Sequence, residues 1–209
     1  MNLQTRRFQL AGAAGMIEAM RDQPIADHPS KGTAVIAHPH PLFGGTMENK
    51  VVQTIARAFV QAGWSAVRFN FRGVGGTEGE HDEGRGELED MLAVVAADAA
   101  SGPIALAGFS FGAFVATRAV AALWPLRPME KIVLVGTSAA RFGVANLPPD
   151  AHEASLVVHG EQDDTVALGV VMDWARPQSL PVTVVPGGGH FFHGQLPLLK
   201  SLVVRHLRS

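Results

Sequence analysis

The chain of 209 residues contains no cysteine. This absence excludes disulfides, thiolate metal sites and a cysteine nucleophile, so a covalent catalyst must be serine, threonine or another side chain. The chain also lacks an excess of charge, because 17 Lys and Arg stand against 19 Asp and Glu, a formal net charge of −2. Such a balance does not favour a phosphate-binding or membrane-binding face. We therefore expect neither nucleic acid nor membrane as a partner.

Long apolar runs are missing as well, since none approaches the about 20 residues that a membrane-spanning helix needs. The N-terminal residues 5–17 carry Arg6 and Arg7 ahead of a small apolar stretch, which is similar to a twin-arginine export signal. Glu18 and Arg21 interrupt that stretch. A hairpin with strands at 6–11 and 15–20 is therefore favoured. We expect a cytoplasmic protein, with export as the alternative.

The rest of the chain alternates short β-branched runs with segments of helical spacing, and 47% of its residues are hydrophobic. The predicted strands are 33–38, 65–70, 104–108, 131–136, 155–159 and 182–185. The predicted helices are 50–61, 87–99, 111–123 and 196–207. This pattern predicts a single α/β domain over residues 1–209, with a doubly wound, mostly parallel sheet, helices on both faces and an antiparallel N-terminal pair.

The segment Gly108-Phe109-Ser110-Phe111-Gly112 joins the predicted strand 104–108 to the predicted helix 111–123. A serine in such a sharp turn adopts strained backbone angles, and glycines two residues before and after it avoid Cβ clashes with the neighbouring chain. The hydroxyl is then exposed at a helix N-terminus, where free N–H groups favour developing negative charge. The placement therefore favours a nucleophilic Ser110 over a simple glycine-rich turn.

A serine hydroxyl is a poor nucleophile and needs a base and an orienting acid. Acidic residues follow the predicted strand 155–159 in the segment Gly160-Glu161-Gln162-Asp163-Asp164, and His190 follows three glycines after the last predicted strand. Both loops should lie at the same carboxyl edge of the sheet as Ser110. The chain order Ser, Asp, His is the order that this type of turn favours.

These motifs resemble the α/β-hydrolase superfamily, and in particular its small lidless bacterial members near the dienelactone-hydrolase and esterase groups. The resemblance covers nearly the whole chain. It includes GFSFG, HPHPLFGG after the first parallel strand, NFRGVGGTEG after the next, HGEQDD and GGGHFFHG. It implies that Ser110 is the nucleophile, Asp163 the acid and His190 the base. Dienelactone hydrolases carry cysteine at the elbow, so their ring-opening activity should not be transferred to this chain.

Two of these positions have competitors in the sequence. Asp164 competes with Asp163, because a slip of one residue in the loop exchanges them, and the family's G-x-x-D pattern favours Asp163. His193 competes with His190. The backbone freedom that follows three glycines favours His190, while His193 is expected to hydrogen-bond within the loop or begin the last helix.

An oxyanion hole needs two backbone donors, and Phe111, the residue after the nucleophile, should supply one. The second should come from the loop after strand 33–38. Prolines at positions 39 and 41 lack an N–H, which leaves His40, Leu42 and Phe43. Aligning His38-Pro39 with the family's usual His-Gly implies His40, with Leu42 as the alternate.

The same loop permits another interpretation, a metal-dependent hydrolase. His38 and His40 stand one residue apart at a predicted strand end, where His81, His159 or Asp163 could complete a metal site. The alternative for His38 is a histidine that hydrogen-bonds its own loop. Because the rest of the chain offers no matched set of ligands, we expect no metal and no cofactor.

The glycine-rich segment 72–79 is similar to a dinucleotide-binding loop, but Glu78 stands where G-x-G-x-x-G would require glycine. A loop beside the catalytic edge, with Arg72 in a structural salt bridge, is the favoured interpretation. We therefore expect Arg72 to support structure without taking part in chemistry.

The residues together predict a serine hydrolase that cleaves a small carboxylic ester or thioester. Only residues 137–154 separate two predicted strands where lids of this superfamily are inserted, so the site should be open and its partner a small-molecule ester. The candidate pocket walls are Phe43, Phe111, Phe142, Phe191 and Phe192. The alternative is a non-catalytic binding protein on the same fold. The sequence leaves the oligomeric state and the leaving-group preference open.

Overall fold

The computed structural model describes residues 5–24, 30–139 and 142–209. Its strands are β1 (Thr5–Gly12), β2 (Gly15–Asp22), β3 (Thr33–Ala37), β4 (Ser65–Phe69), β5 (Ile104–Phe109), β6 (Lys131–Val135), β7 (Ser155–Gly160) and β8 (Val182–Val185). Its α-helices are α1 (Lys50–Gln61), α2 (Arg85–Asp98), α3 (Phe111–Leu123), α4 (Leu168–Ala175) and α5 (Leu196–His206). The strands form one sheet in the order β1-β2-β4-β3-β5-β6-β7-β8.

The N-terminal hairpin confirms the predicted antiparallel pair. β1 and β2 pair from Thr5 opposite Asp22 to Gly12 opposite Gly15, and β2 continues antiparallel to β4. All other neighbouring strands are parallel. The fold is therefore the predicted mixed α/β sheet, with Arg6 and Arg7, the twin-arginine candidate, inside strand β1.

Helices cover both faces of the sheet, as predicted, because successive residues of each buried strand point to opposite sides. In β3, Ala34 and Ile36 pack with α1 and α5, whereas Val35 and Ala37 pack with α2 and α3. Each parallel strand repeats this division. The two buried layers hold the strand ends rigid, which fixes the starting points of the loops that follow them.

The sheet order brings the predicted site loops to one edge. The chain that leaves β3 continues to β4 on one side of β3, whereas β5 pairs with β3 on the other side. The loops after β3 and β5 therefore begin side by side. Such a switch point is where open α/β sheets bind ligands, beyond the carboxyl ends of the strands. The loops after β7 and β8 reach the same edge because both strands run parallel to β6.

Two features differ from the sequence prediction. Helix α4 was not predicted, since its eight residues include a glycine and two consecutive valines, which are poor helix formers. Strand ends shift by a residue, and β5 continues through Phe109 up to the elbow serine. Within the described residues no helix combines the length and apolar character needed to cross a bilayer.

Candidate active site

Ser110 occupies a strained turn between the last residue of β5 and the first residue of α3. Its φ of +56° and ψ of −115° are rare for a residue with a Cβ atom. The backbone is held there by its neighbours, because Ser110 N–H donates to the carbonyl of Val135 at 2.8 Å and Ser138 N–H donates to the carbonyl of Ser110 at 3.3 Å. The predicted elbow therefore has the strained geometry that the sequence motif indicated.

The two flanking glycines permit close contacts between backbone segments. A Cβ atom on Gly108 would lie 2.2 Å from the carbonyl oxygen of Gly112. A Cβ atom on Gly112 would lie 2.4 Å from the carbonyl oxygen of Ala37 and 2.5 Å from that of His38. The second contact also presses the loop after β3 against the N-terminus of α3. Glycine is required at both positions because backbone atoms cannot move aside as a flexible side chain can.

His190 lies between Ser110 and Asp163. Its Nε2 is 3.0 Å from Ser110 Oγ, and its Nδ1 is 2.7 Å from Asp163 Oδ2. A carboxylate oxygen can only accept, so Nδ1 carries a proton, and Nε2 is the ring atom placed to accept from the serine hydroxyl. All three residues are less than 10% exposed, at 7% for Ser110, 4% for His190 and 7% for Asp163. The structure thus brings together the three residues that the sequence selected.

Asp163 is held by donors from its own loop. Its Oδ1 accepts from Thr165 N–H at 3.0 Å and from Val166 N–H at 2.7 Å, which leaves Oδ2 for His190. Burial would raise the pKa of Asp163, but the hydrogen bonds from His190 and Val166 outweigh burial and hold this pKa below its usual range. The carboxylate is therefore charged at neutral pH and oriented on both oxygens.

The competing residues lie outside this arrangement. Asp164 is exposed and contacts Thr165 Oγ1 at 3.3 Å, and His193 is exposed with its ring beside Phe191. The last helix begins at residue 196, so His193 does not begin it. The geometry favours Asp163 and His190 over both competitors.

The side chains of Phe111 and His40, two of the candidate oxyanion donors, lie beside each other at the N-terminus of α3. Phe111 is the first residue of that helix. Its N–H therefore has no helical carbonyl one turn earlier to which it could donate. The ring of His40 lies 4.8 Å from the ring of Phe111, between centroids. Leu42 N–H, the alternate donor, is engaged by His40 Nδ1 at 3.2 Å, and Phe43 N–H is engaged by the carbonyl of His40. The N–H groups of Leu42 and Phe43 are thus engaged within the loop, and the assignment of His40 stays a prediction.

The contacts of His38 argue against the metal-site alternative. His38 Nδ1 donates to the carbonyl of Pro39 at 2.6 Å, and Nε2 accepts from Phe71 N–H at 3.0 Å, so both ring nitrogens are engaged inside the protein. Among the described residues, no group of three or more His, Asp or Glu side chains is arranged to hold a metal ion. His38 instead ties the loop after β3 to the loop after β4.

This buried histidine leads to a prediction about pH. Burial lowers the pKa of His38 to about 4, whereas an unfolded histidine titrates near pH 6.5. Between these values the unfolded chain binds a proton that the folded chain does not, so the free energy of unfolding should fall as the pH drops from about 7 to about 4. The full contribution is about 3 kcal/mol.

Denaturant unfolding at several pH values measures this slope. We expect His38→Gln, which keeps a donor and an acceptor without titrating, to flatten the slope between about pH 7 and 4. An unchanged slope in this variant would show that other groups cause the acid sensitivity.

Only part of the predicted phenylalanine wall is present. Phe43 is 74% exposed beside His40, and Phe191 is 43% exposed beside His190. Phe142 is half-buried and stacks on Phe114 at 4.8 Å. The rings of Phe111 and Phe192 are fully buried, so both pocket assignments were wrong.

Phe192 contributes to the site in a different way. Its backbone turns at a φ of +51°, which directs the ring into the core formed with α1 and α5. Its N–H donates to the carbonyl of Gly189 at 3.1 Å. Phe192 therefore anchors the loop that carries His190, while the adjacent Phe191 is left at the surface.

Arg72 forms the salt bridge that the sequence indicated. Its guanidinium is paired with the buried Asp90, with Nη2 2.9 Å from Oδ1, and also contacts Glu89. Asp90 Oδ2 accepts from Arg72 N–H at 3.0 Å, so one carboxylate holds both the side chain and the backbone. A cavity of about 340 Å³ separates the loop from Arg72 to His81 from Pro41 and Leu42.

The sequence did not reveal two features of this edge. His81 Nδ1 lies 2.7 Å from the buried carboxylate of Glu87, and its ring is 4.8 Å from that of His40. His159 is fully buried against Asp163. The apolar run in SLVVH predicted only that His159 ends a strand, and no local pattern shows which loop atoms a strand-end side chain meets.

Comparison with known proteins places the chain in a family. The sequence model described as X-Pro dipeptidyl-peptidase (S15 family) matches residues 20–134, more than half of the chain. An uncharacterized protein from Rickettsia prowazekii (strain Madrid E) is 30% identical in an alignment 192 residues long that spans 87% of this chain and 79% of that protein.

Solved structures agree with this assignment. A serine hydrolase without lid from Xanthomonas campestris is 34% identical, with a TM-score of 0.87 over 100% of this chain and 95% of that one. A serine hydrolase homologue from Coxiella burnetii is 37% identical, with a TM-score of 0.82 over 99% and 98% of the two chains. The chain therefore belongs to the S15 family that this sequence model describes and, with the lidless serine hydrolases, to the α/β-hydrolase superfamily.

Proposed function

We propose that this hydrolase cleaves small carboxylic esters or thioesters through an acyl-enzyme formed on Ser110. The observation that supports the proposal most directly is the continuous chain of short contacts from Ser110 Oγ through His190 to Asp163, at 3.0 and 2.7 Å. A serine with a base and an oriented acid in this order can act as a nucleophile at neutral pH.

The proposed reaction has two halves. Ser110 Oγ bonds to the substrate carbonyl carbon while its proton passes to His190 Nε2, and Asp163 stabilises the imidazolium that forms. His190 then gives this proton to the leaving oxygen or sulfur as its bond to the acyl carbon breaks. In the second half, water loses a proton to His190 and attacks the acyl carbon, and the proton returns to Ser110 as the acid is released.

Negative charge on the substrate oxygen would be stabilised by backbone donors. We assign the Phe111 N–H at the helix N-terminus and the His40 N–H to this role. The dipole of α3 adds to the effect because its positive end meets the developing charge. His40 Nδ1 accepts from Leu42 N–H, which fixes the backbone turn at His40.

The walls of the site support a small substrate. Residues 137–154, between β6 and β7, are too few for a cap domain, and their described part holds one short 3-10 turn at Pro149–Ala151. Phe43 on the His40 side and Phe191 on the His190 side are the exposed aromatic groups that flank the proposed nucleophile. An open site with two such groups fits a short acyl or aryl group that remains partly in solvent.

Truncation of Phe43 tests this proposed contact. We expect Phe43→Ala to lower kcat/KM about three- to tenfold for butyryl and hexanoyl esters, because each lost apolar contact weakens transition-state binding. For acetyl esters, which are too short for the contact, the kcat/KM of Phe43→Ala should be close to that of the parent. Leu126→Ala removes an exposed apolar side chain at the opposite end of α3 and serves as the control. Equal losses for all chain lengths would argue against an acyl contact at Phe43.

The proposed bond specificity is tested by comparing substrate classes on one preparation. The panel should contain p-nitrophenyl esters of two to eight carbons, the matching thioesters and an X-Pro dipeptidyl anilide, with Ser110→Ala as the blank. Ester or thioester turnover that Ser110→Ala abolishes would support the proposal. Preference for the anilide would favour the peptidase activity in the family's description. Turnover of none of them would favour the non-catalytic alternative.

A further inference from the structure

His159, the penultimate residue of β7, lies directly beneath the loop that carries Asp163. The residue is 0% exposed and pairs with Val184 of β8, while the preceding Val158 pairs with Val135 of β6. Its Nε2 lies 2.8 Å from the carbonyl oxygen of Val166 and 3.5 Å from Asp163 Oδ2. The mechanism proposed above assigns no role to this imidazole.

The surroundings of His159 determine where its proton sits. Nε2 faces two oxygens that can only accept, so it must carry a hydrogen. Nδ1 is buried and has no hydrogen-bond partner within the described parts of the chain. Burial lowers the pKa of His159, and the two titratable groups that act on it are Asp163 and His190. The ring is therefore neutral, with its hydrogen on Nε2.

The hydrogen bond from His159 to the carbonyl of Val166 completes a ring of contacts around the carboxylate of Asp163. Val166 N–H donates to Asp163 Oδ1, while the carbonyl of the same residue accepts from His159. Val166 is thus held from both sides, and His159 Nε2 also faces Asp163 Oδ2, the oxygen that accepts the hydrogen bond from His190 Nδ1. Movement of Val166 would release Oδ1 and let the carboxylate rotate.

We infer that His159 is a positioning residue: its Nε2–H fixes the loop from Asp163 to Val166 and so keeps Asp163 Oδ2 aligned with His190 Nδ1. The inference rests on the proposed function. It differs from a purely structural role because it predicts a change at the bond between Asp163 and His190, 2.7 Å long, and not only in the stability of the fold.

Replacement by Phe retains a ring of similar size without the N–H group, and His159→Gln restores a donor. We expect His159→Phe to lower kcat about 10- to 100-fold with little change in KM, because the acid no longer holds the base in place. His159→Gln should recover most of this loss. His206→Phe is the matched control, since His206 Nε2 lies 3.1 Å from the carbonyl of Ala154, just before the opposite end of β7.

Proton NMR provides a second measurement, independent of substrate. The hydrogen between His190 Nδ1 and Asp163 should give a strongly deshielded signal in the parent and in His206→Phe, and this signal should be lost or shifted in His159→Phe. A folded His159→Phe that keeps both the signal and the kcat of the parent would overturn the inference.

Nitrogen-15 spectra of the unaltered protein keep the test decisive even if His159→Phe fails to fold. The inference requires a neutral His159 protonated on Nε2, and protonation on Nδ1 would overturn it. These results are separable from failure of the proposed function. If His159 is protonated on Nε2 but no substrate of the panel is turned over at Ser110, the result counts against the proposed function alone. If Ser110 turns over substrate but His159 is protonated on Nδ1, the result counts against the inference alone.

Discussion

Asp163→Asn should reduce hydrolysis about 10⁴-fold while leaving the fold intact. Thr165 and Val166 donate to Oδ1, so the amide oxygen of an asparagine would remain at that position. The amide NH₂ group would then face His190 in place of Oδ2. Two donors cannot share one hydrogen bond, so His190 would adopt the tautomer with its proton on Nε2, and it could no longer accept the proton of Ser110.

The adjacent acid provides the control for this prediction. Asp164→Asn makes the same chemical change one residue away, on an exposed side chain that contacts only Thr165 Oγ1 among the hydrogen-bond partners described. Its steady-state kcat/KM should stay within about twofold of the parent, in line with the small effects of exposed substitutions. A large loss in Asp164→Asn with little loss in Asp163→Asn would show that the acid had been assigned to the wrong residue.

Gly108→Ala should destabilise the protein by about 3 kcal/mol or more, and its activity should be lost with the elbow. The added methyl group would lie 2.2 Å from the carbonyl oxygen of Gly112, so the start of α3 would have to move away from β5. All of β5 and the first seven residues of α3 are buried, and close-packed interiors accommodate such shifts poorly. Urea unfolding of the purified variant measures the loss.

Gly169→Ala is the matched substitution. Gly169 lies in helix α4, its φ is not in the left-handed region, and a Cβ atom there would meet nothing within 4 Å. Because alanine favours helix over glycine by about 1 kcal/mol, this variant should be as stable as the parent or slightly more so. Equal destabilisation by both substitutions would contradict the steric explanation for Gly108.

The sequence predicted the parts of the structure that local patterns determine. Continuous apolar runs located the buried parallel strands, and the glycine spacing around Ser110 located the elbow. Both patterns involve only residues that are close to one another in the sequence. The same reasoning found the acidic loop and the loop of His190, since both follow strands whose carboxyl ends must share one edge, and the family resemblance then favoured Asp163 over Asp164. The lack of space for a lid likewise followed from the number of residues between two strands.

The features that were missed depend on contacts between distant segments. Arg68 stands in a fully buried strand, and its charge is compensated by Asp22, 46 residues away, at 2.8 Å. His159 meets the carbonyl of Val166 only because the acid loop folds back over the strand end. Phe191 and Phe192 are adjacent and identical, and the positive φ at Phe192 decides which ring is buried. No periodic pattern encodes such a turn.

The proposed reaction requires above all that Ser110 be an activated nucleophile. The purified protein should be incubated with a fluorophosphonate, which phosphonylates activated serines, and its intact mass recorded beside that of Ser110→Ala. We expect one adduct per chain in the parent and none in Ser110→Ala, with labelling much slower in Asp163→Asn. A folded parent that gains no adduct, or an adduct that persists in Ser110→Ala, would contradict the account.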